Sequence, residues 1–150
     1  MQSFVIRKAE IVDIPGIMSL VRELAIHVNH EDEFTAKEKD YEEAFESGMI
    51  KALVAIDPET NKCAGMCFGF LNFSTWKGKI MYLEDFVVSK EYRRSGLGQQ
   101  LFDSFIAYSK TFDCKLLKWQ LYEWNEVAHA FYVKNNAIFE GELINARIYL

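Results

Sequence analysis

Apolar and polar positions recur along this chain with two different periods, and the switches between them divide it into elements. Phe4 to Ala9 alternates weakly, as a strand with one wetter face does. From Ile14 the period lengthens. Ile14, Ile17, Met18, Val21, Leu24, Ala25 and Val28 form a stripe that a helix collects on one side, with Asp13 placed to cap it and Pro15 in its first turn. Thr35 and Glu38 have capping-box spacing for a second helix ending near Gly48. Met49 to Ile56 and Cys63 to Phe73 read as strands joined through the turn Asp57-Pro58-Glu59-Thr60-Asn61, a hairpin with a long loop. Ile80 to Val88 reads as a central strand, Leu97 to Lys110 as a helix and Lys115 to Leu121 as a strand. Asn125 to Asn135 reads as a helix capped by Asn125, and Ile138 to Leu150 as two short strands. Helices interrupt strands throughout, without repeats or a linker, which predicts an α/β or α+β class with a mixed sheet.

Composition narrows the picture. At 150 residues, half of them hydrophobic, residues 1–150 fit one domain with a sizeable core. The longest apolar stretch, Ala64 to Phe73, is about half of a ~20-residue membrane span, and MQSFVIRKAE lacks the apolar core of a signal peptide. A soluble, cytoplasmic protein without a membrane partner is expected. Cys63, Cys67 and Cys114 form no CxxC pair, and their odd number argues against a disulfide framework. Small buried thiols in a reducing compartment are favoured over zinc, since structural zinc takes closely spaced pairs, and His27, His30 and His129 have no metal spacing. No metal is expected. The net charge of −5 has the wrong sign for nucleic acid and suits a cationic small substrate better.

The most unusual stretch is Tyr82 to Phe102, YLEDFVVSKEYRRSGLGQQLF. A strand, a turn of basic and glycine residues, and a helix beginning beyond it present backbone N–H groups and a positive dipole end to an anion, phosphate above all. Gly96 and Gly98 would allow close backbone approach and φ > 0, with Arg93 or Arg94 adding charge. The pattern is neither a P-loop nor a GxGxxG fingerprint. Taken alone, it fits a glycine turn carrying a solvated arginine pair better than it fits a phosphate site.

Arg93-x-x-Gly96-x-Gly98 between strand and helix resembles the acetyl-CoA pyrophosphate signature of the GNAT N-acetyltransferase superfamily. FVIRKAE, YLEDFVV, EWNE and AFYVKNNA, in this order and spacing, extend the similarity over nearly the whole chain, toward the diamine branch of spermidine/spermine and thialysine acetyltransferases. The resemblance implies a mixed, mostly antiparallel central sheet flanked by helices, with two splayed parallel strands holding CoA. It implies pantetheine on the backbone of Phe86, Val87 and Val88, and the pyrophosphate on amides of the turn Arg93, Arg94, Ser95, Gly96, Leu97, Gly98 and Gln99. It sets Asn125 at the cofactor arm, Tyr132 at the catalytic tyrosine, and Glu84 and Asp85 among acids lining the acceptor site. It further implies a homodimer. Neither acetyl-CoA, as cosubstrate, nor the amine acceptor calls for a metal.

The chemistry makes these assignments sensible. An alkyl ammonium of pKa ~10.4 is only about one part in a thousand deprotonated near pH 7.4, so amine acetylation needs a proton acceptor, and the departing thiolate needs a donor. Glu84, acting through a water, is the candidate base and Tyr132 the candidate acid. A carboxylate also stabilises the ammonium, so one acid is better suited to a distal cationic group. Glu84 and Asp85 face opposite sides of a regular strand and reach one cleft only through a bulge. Trp76 can line the acceptor pocket or cover a sheet edge, and Glu31, in Glu31-Asp32-Glu33, can hold a cationic tail or lie in a solvated loop. His27-Val28 and Ser74 stand where the polyamine enzymes carry acids, and the chain reaches Leu150 without their longer tail, which makes a shorter amine at least as good a fit as a long polycation. Acetylation of protein or peptide amines, and a non-catalytic acyl-CoA-binding regulatory domain, are the alternatives.

Overall fold

The structure, a computed structural model, describes residues 2–150. Its strands are β1 (Val5–Lys8), β2 (Ile50–Ile56), β3 (Cys63–Ser74), β4 (Gly78–Val88) and β5 (Leu117–Trp119). Its helices are α1 (Ile14–His27), α2 (Glu38–Glu46), α3 (Leu97–Lys110) and α4 (Glu126–Lys134). The strands form one sheet in the order β1-β2-β3-β4-β5, antiparallel except for the parallel pair β4 and β5. This is the mixed α/β arrangement that the pattern predicts. The chain divides into two compact units, Met1–Trp119 with the sheet and α1 to α3, and Gln120–Leu150 with α4.

Residue size along β3 decides where the helices of the first unit pack. A Cβ on Gly65 would lie 3.3 Å from Leu101, and one on Gly69 would lie 2.8 Å from Phe105, so these small positions, with Cys67 between them, face α3 and let it sit close. The alternate residues Met66 and Phe68 face the other way, into a cluster with Ile17, Leu20, Val54 and Val87, and with Val21, Leu24, Tyr41 and Phe45 of α1 and α2. The helices therefore flank the sheet on both faces.

Three local expectations need correction. Asp13 does not cap α1 through its side chain; its buried carboxylate takes a paired contact from Arg7 at 2.7 and 2.9 Å and the Glu10 N–H at 2.8 Å. Burial alone would raise its pKa, but these donors hold it below the usual carboxylate value. α2 starts at Glu38, not Thr35, because Asp40 accepts the Lys37 N–H at 2.6 Å and fixes the helix start there. In the second unit α4 forms as expected, with Asn125 Oδ1 accepting the Ala128 N–H at 3.1 Å. The two strands expected in Ile138–Leu150 do not form. A strand exists through a pairing partner, and α4 is the one regular element of that unit.

Candidate active site

The acids of β4 owe their arrangement to an irregularity. Phe68 pairs with Asp85, yet the next residue of β3, Gly69, pairs with Leu83, so Glu84 is the extra residue of a β-bulge. The bulge lets Glu84 and Asp85 line one cleft of about 260 Å³ together with Val21, Asp40, Tyr41, Ala44, Ile50 and Phe68. Tyr41 meets Phe68 edge-on at 6.0 Å, and Phe45 does so at 6.2 Å from the same helix. Burial, with Glu84 beside it, pushes Asp85 up to about 6. Burial and the Asp85 charge push the Tyr41 phenol up to about 12, so it stays a neutral donor at physiological pH. Three carboxylates on aromatic walls suit a desolvated cation.

The cleft lies on the strand that also borders the basic turn. Ladder pairing between β4 and β5 ends at Leu83 and Trp119, while β3 pairs with β4 through to Val88. Along Phe86–Val87–Val88 the ladder is thus on the β3 side. Phe86 stacks on Phe102 of α3 at 5.6 Å, and Val87 is buried. Beyond β4 the chain makes a single turn at Lys90–Tyr92 and enters α3 through Gly96, whose φ of 83° is left-handed. Arg94 is left-handed too, at φ 61°. Gly98 has ordinary helical backbone, so only one of the two glycines is required by conformation. Ser95 Oγ donates to the Tyr92 carbonyl at 2.6 Å and accepts weakly from the Leu97 N–H at 3.4 Å. With no side-chain cap at Gly96, the first amides of α3 and the dipole end open on this turn. Arg93 Nε donates to the Val88 carbonyl at 3.1 Å and its guanidinium lies 3.7 Å from Glu23; Arg93 and Arg94 are both exposed.

A family model, described as "Acetyltransferase (GNAT) family", matches residues 17–136. The chain belongs to this family. Membership makes it an acetyl-CoA-dependent N-acetyltransferase. The chain is 31% identical over 140 residues to the thialysine N-epsilon-acetyltransferase of Sus scrofa, covering 88% of this chain and 82% of that protein. It is 28% identical over 145 residues to the spermidine/spermine N(1)-acetyltransferase-like protein 1 of Homo sapiens, covering 92% of this chain but spanning only 21% of that protein. An aminoglycoside acetyltransferase from an uncultured soil metagenomic sample shares the fold at a TM-score of 0.80 and 16% identity, over 98% of this chain and 96% of that one.

The remaining candidate residues of the acetyltransferase are distributed unevenly. Trp76 stands at the tip of the β3–β4 hairpin, 93% exposed, and does not line the acidic cleft. Glu31 sits in a single exposed turn, paired with Arg22 at 3.6 Å, and is also outside the cleft lining. Asn125 uses its side-chain carbonyl as a cap, and Tyr132 is buried in α4 with its ring edge-on to Phe131 at 5.4 Å. Sequence reasoning missed Asp40, Tyr41 and Glu23. The adjacent acid and aromatic Asp40-Tyr41 on an amphipathic helix was the available signal for the first two; nothing local marked Glu23. Among the described residues no His, Cys, Asp and Glu cluster fit for a metal occurs, and no helix is long and apolar enough to cross a membrane.

Proposed function

We propose that this acetyltransferase moves the acetyl group of acetyl-CoA to the primary amine of a small cationic acceptor: a diamine, a polyamine, or a lysine-like or thialysine-like amino acid. The observation that carries this reading is the bulge that turns Glu84 and Asp85 into one cleft with Asp40 and Tyr41. A cleft of about 260 Å³ is at the small end of ligand pockets and suits a short amine better than a peptide groove.

In the proposed mechanism Asp85, the more buried acid, holds the distal cation, and the exposed Glu84 accepts the proton of the reacting ammonium through a water. The neutral amine then attacks the thioester carbonyl, and the C–S bond breaks as the tetrahedral intermediate collapses. Tyr132 donates its phenolic proton to the departing sulfur, and the proton that the attacking nitrogen sheds on becoming an amide restores the phenol, giving CoA and the acetamide. Amides from Arg94 to Gln99 take the pyrophosphate, Phe86 to Val88 take the pantetheine amides, and Asn125 faces the cofactor arm. Homodimeric assembly belongs to the same reading; a monomeric mass by light scattering would remove it.

The test is thiol release from acetyl-CoA over a panel of diamines, neutral-tailed amines of equal length, lysine analogues and peptides. A preference for amines with a distal charge is expected. Equal use of neutral-tailed amines, or turnover of peptides alone, would overturn the acceptor assignment. CoA binding without turnover on any acceptor would favour the non-catalytic alternative.

A further inference from the structure

Glu23, on α1, is separated by 66 and 67 residues from the two groups that donate to it in the β4–α3 connection. Its Oε2 accepts from Ser89 Oγ at 3.0 Å and its Oε1 accepts the Lys90 backbone N–H at 2.6 Å. The Arg93 guanidinium lies 3.7 Å from the same Oε1, while Arg93 Nε reaches back to the Val88 carbonyl. One carboxylate thus collects two hydrogen bonds and an ion pair from the segment that leaves β4 and enters the glycine turn. Charged acceptors make the stronger hydrogen bonds, and Glu23 is only about a third exposed, with 32% of its side-chain surface accessible.

The position of this contact sets its consequence. Ser89 and Lys90 precede the two left-handed residues Arg94 and Gly96, which aim the amides at the start of α3. With Glu23 absent, the Arg93 guanidinium would lose its ion pair and the Lys90 N–H would turn to water, so Lys90 would be released between the two remaining anchors of the segment, the Ser89 N–H on the Ala64 carbonyl at 2.9 Å and the Tyr92 hydroxyl on Asp57 at 3.0 Å. We propose that Glu23 is a positioning residue for the pyrophosphate turn: it holds the turn in its anion-binding form and holds the Arg93 side chain back, which leaves the amides and Arg94 for the phosphates. The assignment rests on acetyl-CoA as donor, and it concerns the diphosphate end of that molecule alone.

Donor truncation tests this, because S-acetyl-pantetheine keeps the thioester and pantetheine but has no pyrophosphate. In Glu23→Ala the KM for acetyl-CoA and the Kd for CoA should rise about tenfold or more, the size set by loss of a charged hydrogen bond, with kcat at saturating donor within about twofold. Glu23→Gln, which keeps an acceptor for the Lys90 N–H but not the charge, should fall between and decides the matter if the alanine variant does not fold. In both variants kcat/KM for S-acetyl-pantetheine and the amine KM should stay at the wild-type values. Unchanged CoA affinity, or an equal loss with both donors, would overturn the proposal. Wild-type protein that binds no CoA would instead overturn the donor reading beneath it.

Discussion

Glu84 and Asp85 are consecutive residues of β4, and both line the same cleft. The cause is across the ladder, at Gly69. A Cβ there would stand 2.7 Å from the Tyr82 carbonyl oxygen and 2.8 Å from Phe105, both within β4 or α3. The absence of a side chain lets α3 and the strand close in while the register slips by one residue. The acidic cleft is therefore built as much by a glycine on β3 as by the acids on β4.

Gly69→Ala should consequently cost about 1–3 kcal/mol, the range for inserting a methyl into a filled space, and lower the melting temperature by several degrees. Because the shift falls on the bulge, the amine KM should rise while CoA affinity holds. Urea unfolding and CoA titration on the same sample check both statements; wild-type stability would mean that α3 relaxes away without cost.

Asp85 gives the protein a pH dependence of definite sign. Its carboxyl is held near 6 in the folded state, against 3.8 when solvated, so the native protein binds the extra proton between these values. Stability contributed by that proton is present below about pH 4 and is lost as pH rises through about 6, amounting to about 2–3 kcal/mol. Asp85→Asn should flatten this part of the stability curve and make the protein more stable than wild type at pH 7. It should also raise the KM for diamines well above its effect on neutral-tailed amines, in line with ~1.5–3 kcal/mol per charged hydrogen bond. In wild-type protein a bound ammonium lowers the Asp85 pKa, so calorimetry near pH 6 in buffers of different ionisation enthalpy should record proton release. Equal KM effects on both amine types, or no proton release, would remove Asp85 from acceptor binding.

The two glycines of the turn separate cleanly. Gly96 has φ 83° and an added Cβ would meet nothing nearer than Gln100 Nε2 at 3.9 Å, so conformation, not space, demands glycine. Gly96→Val should lose at least about 1–2 kcal/mol from left-handed strain and also lower CoA affinity as the amides turn away. An added Cβ on Gly98 points inward, 3.8 Å from both Phe86 and Val88, at normal contact distance. Gly98→Ala should keep CoA affinity within about threefold and gain up to about 1 kcal/mol of helix propensity. A loss of CoA binding in Gly98→Ala without loss of stability would show that the phosphate approaches α3 from the sheet side.

Much of this was readable from residues. α3 was bounded correctly at Leu97 and Lys110 because its apolar stripe begins after a glycine turn and ends at a basic residue. The RxxGxG turn was visible for the same reason. The bulge was not, since YLEDFVV carries no mark of which residue is extra; that is settled by Gly69 on another strand and by Phe105 on α3. Glu23 was hidden for a related cause, as its partners lie 66 and 67 residues away. The tail misled through its apolar residues: Leu143, Ile144, Ile148 and Leu150 have strand composition, but composition supplies no partner, and all four are exposed.

Tyr132 carries the last prediction. It lies about two helical turns beyond the Asn125 cap, and its carbonyl accepts from the Asn135 and Ala137 N–H groups at 3.1 and 3.0 Å, which pins the end of α4 through the backbone. Removing the phenolic oxygen leaves those bonds untouched, and the ring of Phe preserves its packing against Phe131. The proposed role, proton donation to the CoA sulfur, is called on as negative charge develops and not while substrates bind. Tyr132→Phe should therefore lower kcat by roughly 10²–10⁴, the usual contribution of a general acid, with acetyl-CoA affinity close to that of wild type. Single-turnover measurements are the proper readout, because slow product release would conceal a slower chemical step in the steady state. A Tyr132→Phe enzyme with full single-turnover rate would leave solvent as the acid and confine the tyrosine to packing in α4.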